Sequence, residues 1–205
     1  MRVIPNKRAY LRPEPTSRSL DFRKSRKKRD YRKLLSWLLM IVEILAVAAV
    51  AYLLVSSFAT QVTMTEESME PQIGVSDSLL IDKVTYRLKS PEAGDVIAFL
   101  PSGDLSGRYS IKRVVAVPGQ KVVIKSGIVY VNNKAYTAPV ETTAVNDAGI
   151  ASSTITLGKD EYFVLGDNRG VSEDSRYQSV GNVLKSQIKG KIWFDVTGKN
   201  FGVVD

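Results

Sequence analysis

The sequence predicts a mostly β, antiparallel domain preceded by one transmembrane helix. Two observations support this fold class. Residues 34–58 form a 25-residue apolar run with a single charged residue, Glu43. After it, short β-branched segments recur between Gly, Pro, Asn and Asp residues, which is the pattern of strands joined by turns. These segments do not alternate with long helical patterns, which argues against a doubly wound α/β sheet.

The apolar run is long enough to cross a bilayer. As a helix, 25 residues extend over about 37 Å, and the hydrocarbon core is about 30 Å thick. The favourable insertion of its Leu, Ile and Val side chains outweighs the cost of Glu43. A secretory signal cleaved near Ala59 is the alternative. An uncleaved anchor is favoured because the run exceeds the apolar length usual for cleaved signals.

Basic residues are concentrated ahead of this run. Residues 1–33 contain 13 Lys/Arg and 3 Asp/Glu, a net charge of +10, whereas the other 172 residues contain 16 and 18, a net charge of −2. A nucleic-acid-binding domain carries its basic residues on its folded part, so no nucleic-acid partner is expected. The positive-inside rule instead predicts three regions: a basic, disordered cytoplasmic tail (1–33), a transmembrane helix (34–58) and an extracellular β-rich domain (59–205).

Eight segments of the domain are predicted to be strands. Ser126-Gly127 and Asn132-Asn133 are predicted to form hairpin turns, and residues 137–152, which are small and polar, a surface insertion or minor lobe. The predicted strands are Ser78–Val84, Asp95–Leu100, Ser110–Val117, Lys121–Lys125, Ile128–Val131, Ser153–Leu157, Glu161–Leu165 and Lys191–Val196.

The chain contains no cysteine and no histidine. Thiol nucleophiles, Ser-His-Asp triads and imidazole metal sites are therefore excluded, so a hydrolytic base must be Lys, Asp, Glu or Tyr, or come from an all-oxygen metal site. No metal or cofactor is expected. A serine nucleophile would need another base, and a lysine amine can serve if burial disfavours its charged form. Lys112 lies in such a setting, near the apolar residues Ile111, Val114 and Val115.

Four polar segments follow the anchor in a fixed order: Ser68–Pro71, Gly94–Phe99, Ile111–Gly119 and Gly166–Arg176. In this order, behind one N-terminal anchor, they resemble the boxes of type I signal peptidases, in a form similar to that of Gram-positive bacteria. These membrane enzymes remove signal peptides from exported proteins. The resemblance covers the chain from the anchor to its end.

The resemblance implies a role for each matching residue. Ser68 would be the nucleophile and would supply a backbone N–H to the oxyanion hole, Lys112 would be the general base, and the Ser172 hydroxyl would orient the lysine amine. The other implied residues are the ion pair Asp174 and Arg176, the supporting loop at Gly166 and Asp167, and Met69, Pro71 and Ile111 at the substrate-binding cleft.

Three positions depart from the family pattern. Glu66, two residues before Ser68, stands where the family commonly has Gly or Ser, and some members use that serine hydroxyl as an oxyanion donor. An ionised Glu66 cannot donate and would place negative charge near the developing oxyanion. Gln72 and Gln120 replace a usual Thr and Asp.

The expected function is cleavage of secreted preproteins, pilin or other surface-protein precursors among them, at the surface of a lipid bilayer. A non-catalytic relative that assists assembly of surface proteins such as pilins is the alternative, and Glu66 is the feature in its favour. Self-cleaving repressors share the Ser–Lys chemistry, but they are soluble and carry a DNA-binding module, so the anchor argues against them.

Overall fold

The computed structural model describes residues 31–58, 60–101, 107–197 and 201–204. Helix α1 runs from Tyr31 to Phe58, so it begins three residues before the predicted span. Within the described residues it is the one helix long and apolar enough to cross a membrane. Residues 1–30 of the predicted tail lie outside the described part. The chain divides into two compact units, Met1–Leu45 and Ala46–Asp205.

The second unit is built on two antiparallel sheets. The strands are β1 (Thr60–Thr63), β2 (Ser78–Asp82), β3 (Val96–Phe99), β4 (Ser110–Ala116), β5 (Lys121–Lys125), β6 (Ile128–Val131), β7 (Lys134–Ala135), β8 (Ile155–Thr156), β9 (Glu161–Leu165), β10 (Val183–Leu184), β11 (Ile188–Asp195) and β12 (Gly202–Val203). The larger sheet has the order β1-β2-β11-β3-β4-β9-β10, with β12 paired to β11, and the smaller has the order β7-β6-β5-β8. A short helix α2 spans Thr85–Leu88, and 3-10 turns span Glu67–Met69, Gly149–Ser152 and Lys185–Gln187. The mostly antiparallel β fold with one N-terminal apolar helix is therefore confirmed.

Both predicted hairpin turns are present in the small sheet. Lys125 pairs with Ile128 and Val131 pairs with Lys134, so each turn has two central residues. Their φ angles are positive: 48° at Ser126 and 80° at Gly127, then 50° at Asn132 and 65° at Asn133. Two successive positive φ values match the twist of the flanking strands, which is why Gly and Asn occupy these positions.

The centre of the large sheet is buried on both faces. Every residue of β3 and β4 is buried, although β4 carries Ser110, Lys112 and Arg113 among its apolar residues. A strand covered on both faces normally contains a continuous apolar run, because buried charges are costly. The charges at the middle of β4 therefore need partners within the protein, and these partners build the candidate site.

Candidate active site

Ser68 lies in the 3-10 turn Glu67–Met69 that follows β1. Met69 anchors this turn, because it is fully buried in an apolar cluster that includes Met64 and also Ile111, a residue of β4. Met69 also accepts a 2.9 Å backbone hydrogen bond from Ile73. Burial of Met69 beside β4 brings Ser68, which is 2% exposed, against the same strand.

Lys112 is the side chain of β4 that meets Ser68. Its Nζ lies 2.9 Å from the Ser68 Oγ, and the lysine is fully buried. Successive side chains of a strand point to opposite faces, so the next residue, Arg113, has different neighbours. Arg113 is also fully buried, and its guanidinium binds both carboxylate oxygens of Asp167, at 2.9 and 2.8 Å.

Glu66 makes a contact that the sequence pattern does not reveal. Its Oε2 accepts a hydrogen bond from Lys112 Nζ at 2.7 Å and one from Ser68 Oγ at 3.2 Å. Its side chain is 47% exposed, whereas that of Lys112 is 0% exposed. The carboxylate that we expected beside the oxyanion thus forms an ion pair with the lysine.

Ser172 is close to the nucleophile but does not make the expected contact. Its Oγ is buried and has no hydrogen-bond partner within the described part of the chain. Gly166 separates it from Ser68: a Cβ on Gly166 would overlap both the Ser172 Oγ and the Ser68 carbonyl oxygen. The base-orienting role of Ser172 stays a prediction.

The segment 166–176 is fixed by a second buried ion pair. Arg176 binds Asp174 through Nε at 2.8 Å and Nη2 at 3.0 Å, and it also donates to the carbonyl oxygens of Arg169 and Ser172. The carboxylate of Asp174 accepts a 3.2 Å hydrogen bond from the Gly166 N–H. Both members of this pair are therefore hydrogen-bonded, which offsets their desolvation cost.

This segment contacts the nucleophile through the backbone. The Asn168 N–H donates a 3.0 Å hydrogen bond to the Ser68 carbonyl oxygen. Through Arg113, Asp167 connects the same segment to the strand that carries Lys112. Residues that are distant in sequence are thus held at one place by backbone hydrogen bonds and two bidentate ion pairs.

The residues expected at the substrate cleft have mixed environments. Met69 and Ile111 are buried together in one apolar cluster, whereas Pro71 is exposed. Their role in binding substrate stays a prediction.

Of the departures from the family pattern, Gln120 has a structural explanation: its Oε1 accepts a 2.9 Å hydrogen bond from the Val117 N–H across the turn between β4 and β5. Within the described residues, no group of three or more acidic side chains could hold a metal ion.

Comparison with known proteins identifies the family. The family model described as signal peptidase, peptidase S26, matches residues 34–197. The chain is 34% identical over 181 residues to signal peptidase IB of Staphylococcus aureus, covering 80% of this chain and 89% of that protein. It is 35% identical over 128 residues to a probable signal peptidase I-2 of Synechocystis, covering 60% of this chain and 56% of that protein.

The chain belongs to the signal peptidase family of S26 peptidases. The predicted class, a serine endopeptidase of the signal peptidase I type, is therefore confirmed. A solved signal peptidase I from Enterococcus faecalis is 30% identical, with a TM-score of 0.40 over 51% of this chain and 97% of that one.

Proposed function

We propose that this chain removes signal peptides from exported preproteins, with Ser68 as nucleophile and Lys112 as general base. One observation carries the proposal. In a chain without histidine, a fully buried lysine amine lies 2.9 Å from a buried serine hydroxyl. That distance allows direct proton transfer between the two groups.

The reaction follows from this pair. Neutral Lys112 takes the Ser68 proton as Oγ attacks the scissile carbonyl, which forms a tetrahedral oxyanion. The Ser68 N–H donates to this oxyanion, and the bond strengthens as negative charge develops. The Lys112 ammonium then protonates the leaving amine of the mature protein, leaving the signal peptide as an ester on Ser68. Neutral Lys112 next takes a proton from water as the water oxygen attacks the ester carbonyl. The acyl–Oγ bond then breaks, the Lys112 ammonium returns the proton to Ser68 Oγ, and the signal peptide leaves as a carboxylic acid.

Glu66 must move for this cycle to begin. A carboxylate 2.7 Å from Lys112 Nζ stabilises the ammonium, and an ammonium cannot accept the serine proton. Because the Glu66 side chain is 47% exposed, it can rotate into solvent when a substrate binds. The buried Ser172 hydroxyl, which has no partner in the described part of the chain, is then available to orient the amine.

The alternative of a non-catalytic assembly factor is not favoured. The chain retains both Ser68 and Lys112 in contact, and the relatives named above are peptidases by name. Pilin and other surface-protein precursors remain proposed substrates within the general class of signal-bearing preproteins. A lipid bilayer is the proposed site of action, with α1 as the anchor.

We further propose that residues 1–33 lie in the cytoplasm and residues 59–205 outside it, because the net charge of +10 precedes the apolar span. The absence of cysteine makes this testable with single substitutions. In intact cells, a membrane-impermeant maleimide should label Lys159→Cys, an exposed position in the domain. The same reagent should label Ser17→Cys only after the cells are lysed. The reverse pattern would contradict the proposed orientation.

Removing either member of the pair should abolish cleavage. Ser68→Ala and Lys112→Met should each lower kcat/KM for a model preprotein by at least about 1000-fold, because the two groups act as a unit. The measurement is cleavage of one secretory preprotein and one pilin precursor by purified full-length protein in detergent. Lys121→Met at an exposed position and Ser153→Ala serve as controls. Cleavage by folded Lys112→Met at the normal rate would rule out the lysine base.

Neutralising Glu66 should raise the rate of cleavage. In Glu66→Gln the Lys112 amine keeps its Ser68 contact but loses the charged partner that has to leave before the cycle begins. At one fixed pH we expect kcat/KM to rise by about threefold to tenfold, the effect of losing a partly exposed ion pair. Glu67→Gln, an exposed neighbour with the same change in charge, should cleave at the normal rate. Equal rates for the two variants would show that Glu66 does not act on the base.

A further inference from the structure

Among the arginines buried in and around segment 166–176, one has no acidic partner. Three arginines are buried there: Arg113, Arg169 and Arg176, which are 0%, 4% and 1% exposed. Two aspartates, Asp167 and Asp174, are buried with them, at 0% each. Asp167 binds Arg113 through both oxygens and Asp174 binds Arg176 in the same way. Both acids are therefore occupied, and Arg169 remains as a surplus positive charge.

The environment of Arg169 does not neutralise it. No ion pair or hydrogen bond of its guanidinium is present within the described residues, and its Nε is buried without a partner. Burial lowers the pKa of Arg169 from its ordinary value, partly offset by the fields of Asp167 and Asp174. An arginine nevertheless stays charged in a protein, so the part of its desolvation cost that these fields do not offset remains.

Arg169 lines a pocket of about 220 Å³ at the small sheet. Its polar lining includes Tyr136, Thr142 and Thr143, and its walls include Val129 and Val145. The hydroxyl of Tyr136 is also buried and without a hydrogen-bond partner. Two unpaired buried donors in one pocket are unusual, because buried polar groups in proteins are nearly always hydrogen-bonded.

The mouth of the pocket faces solvent. Gly127, Ile128 and Thr143 are exposed, whereas Val129, Val145 and Arg169 at its floor are buried. A ligand could therefore enter from outside and place a polar group against the buried donors. Small-molecule sites commonly combine apolar walls with a few such polar groups.

We propose that this pocket binds a carboxylate. Arg169 and the Tyr136 hydroxyl are both donors, so the ligand group must be an acceptor. The surplus of one positive charge matches a carboxylate monoanion, whereas a phosphate dianion would leave a buried negative charge. A carboxylate also fits the planar guanidinium geometry, and the apolar walls fit the carbon chain that bears it.

The pocket is connected to the nucleophile through the backbone. Arg169 follows Asn168, whose N–H binds the Ser68 carbonyl oxygen at 3.0 Å. The Arg169 carbonyl oxygen also accepts a 2.7 Å hydrogen bond from Arg176. A carboxylate bound to Arg169 would restrain this segment, but its binding requires neither Ser68 nor Lys112. Failure of the proposed cleavage reaction would therefore leave the binding site untouched, and the two can be tested separately.

The test is ligand-dependent thermal unfolding of the full-length protein in detergent. The probes are acetate, N-acetylglutamate α-amide, its uncharged analogue N-acetylglutamine α-amide, and inorganic phosphate, all compared with chloride at equal ionic strength. We expect saturable stabilisation by a carboxylate probe and none by the uncharged analogue. Stabilisation by acetate identifies the free carboxylate as sufficient, whereas stabilisation by the glutamate amide alone identifies an acidic residue of a polypeptide as the ligand.

Matched tyrosine variants locate the site. Tyr136→Phe removes a buried unpaired hydroxyl, so without ligand its Tm should equal or exceed the normal value. It should weaken carboxylate binding roughly tenfold or more, since a hydrogen bond to a charged group is lost. Tyr130→Phe, on β6 and outside the pocket lining, should bind normally. Arg169→Gln should abolish binding. If Arg169→Gln does not fold, the comparison of Tyr136→Phe with Tyr130→Phe still tests the site.

Three results would overturn the proposal. They are the absence of stabilisation by either carboxylate, stabilisation by phosphate alone, and carboxylate binding that is unchanged in Tyr136→Phe. The first would mean that solvent satisfies Arg169 and Tyr136.

Discussion

The candidate active site depends on the burial of one amine. Lys112 is fully buried in a strand covered on both faces, and its Nζ contacts the Ser68 hydroxyl and the Glu66 carboxylate. We interpret the Glu66 contact as a reversible restraint on the base: Glu66, the exposed partner, can leave, and the buried Ser68 cannot. In a chain without histidine, such an arrangement can activate a serine.

The surrounding structure keeps this amine in contact with its serine. Segment 166–176 donates a backbone hydrogen bond to the Ser68 carbonyl, and its Asp167 binds Arg113, the neighbour of Lys112. Gly166 is required where these parts meet, since a side chain would overlap Ser68 and Ser172. Buried ion pairs often add little net stability, but breaking one leaves an uncompensated charge. The pairs thus specify the position of the segment. Arg169 lacks an acidic partner there, and the proposed carboxylate ligand would restrain the segment further by binding to it.

Much of the fold follows from local patterns in the sequence. Strands β5, β6 and β9 have the predicted bounds, because β-branched runs and two-residue turns delimit them. Strands β1, β7, β10 and β12 were not predicted: at two to four residues they are determined by their pairing partners. The ordered boxes indicated that Ser68 and Lys112 would meet. The contact of Glu66 with Lys112 could not be predicted, because it depends on side-chain orientation in the folded chain.

The most direct test of the Ser68–Lys112 mechanism is identification of the covalent intermediate. A preprotein is mixed with excess full-length protein, the reaction is quenched in acid at successive times, and the digested protein is analysed by mass spectrometry. The account predicts that the signal peptide is esterified through its terminal carbonyl to Ser68, and that the ester appears before it decays to free signal peptide. An ester on another side chain would contradict it. So would product formation while Ser68 remains unmodified at every quench time.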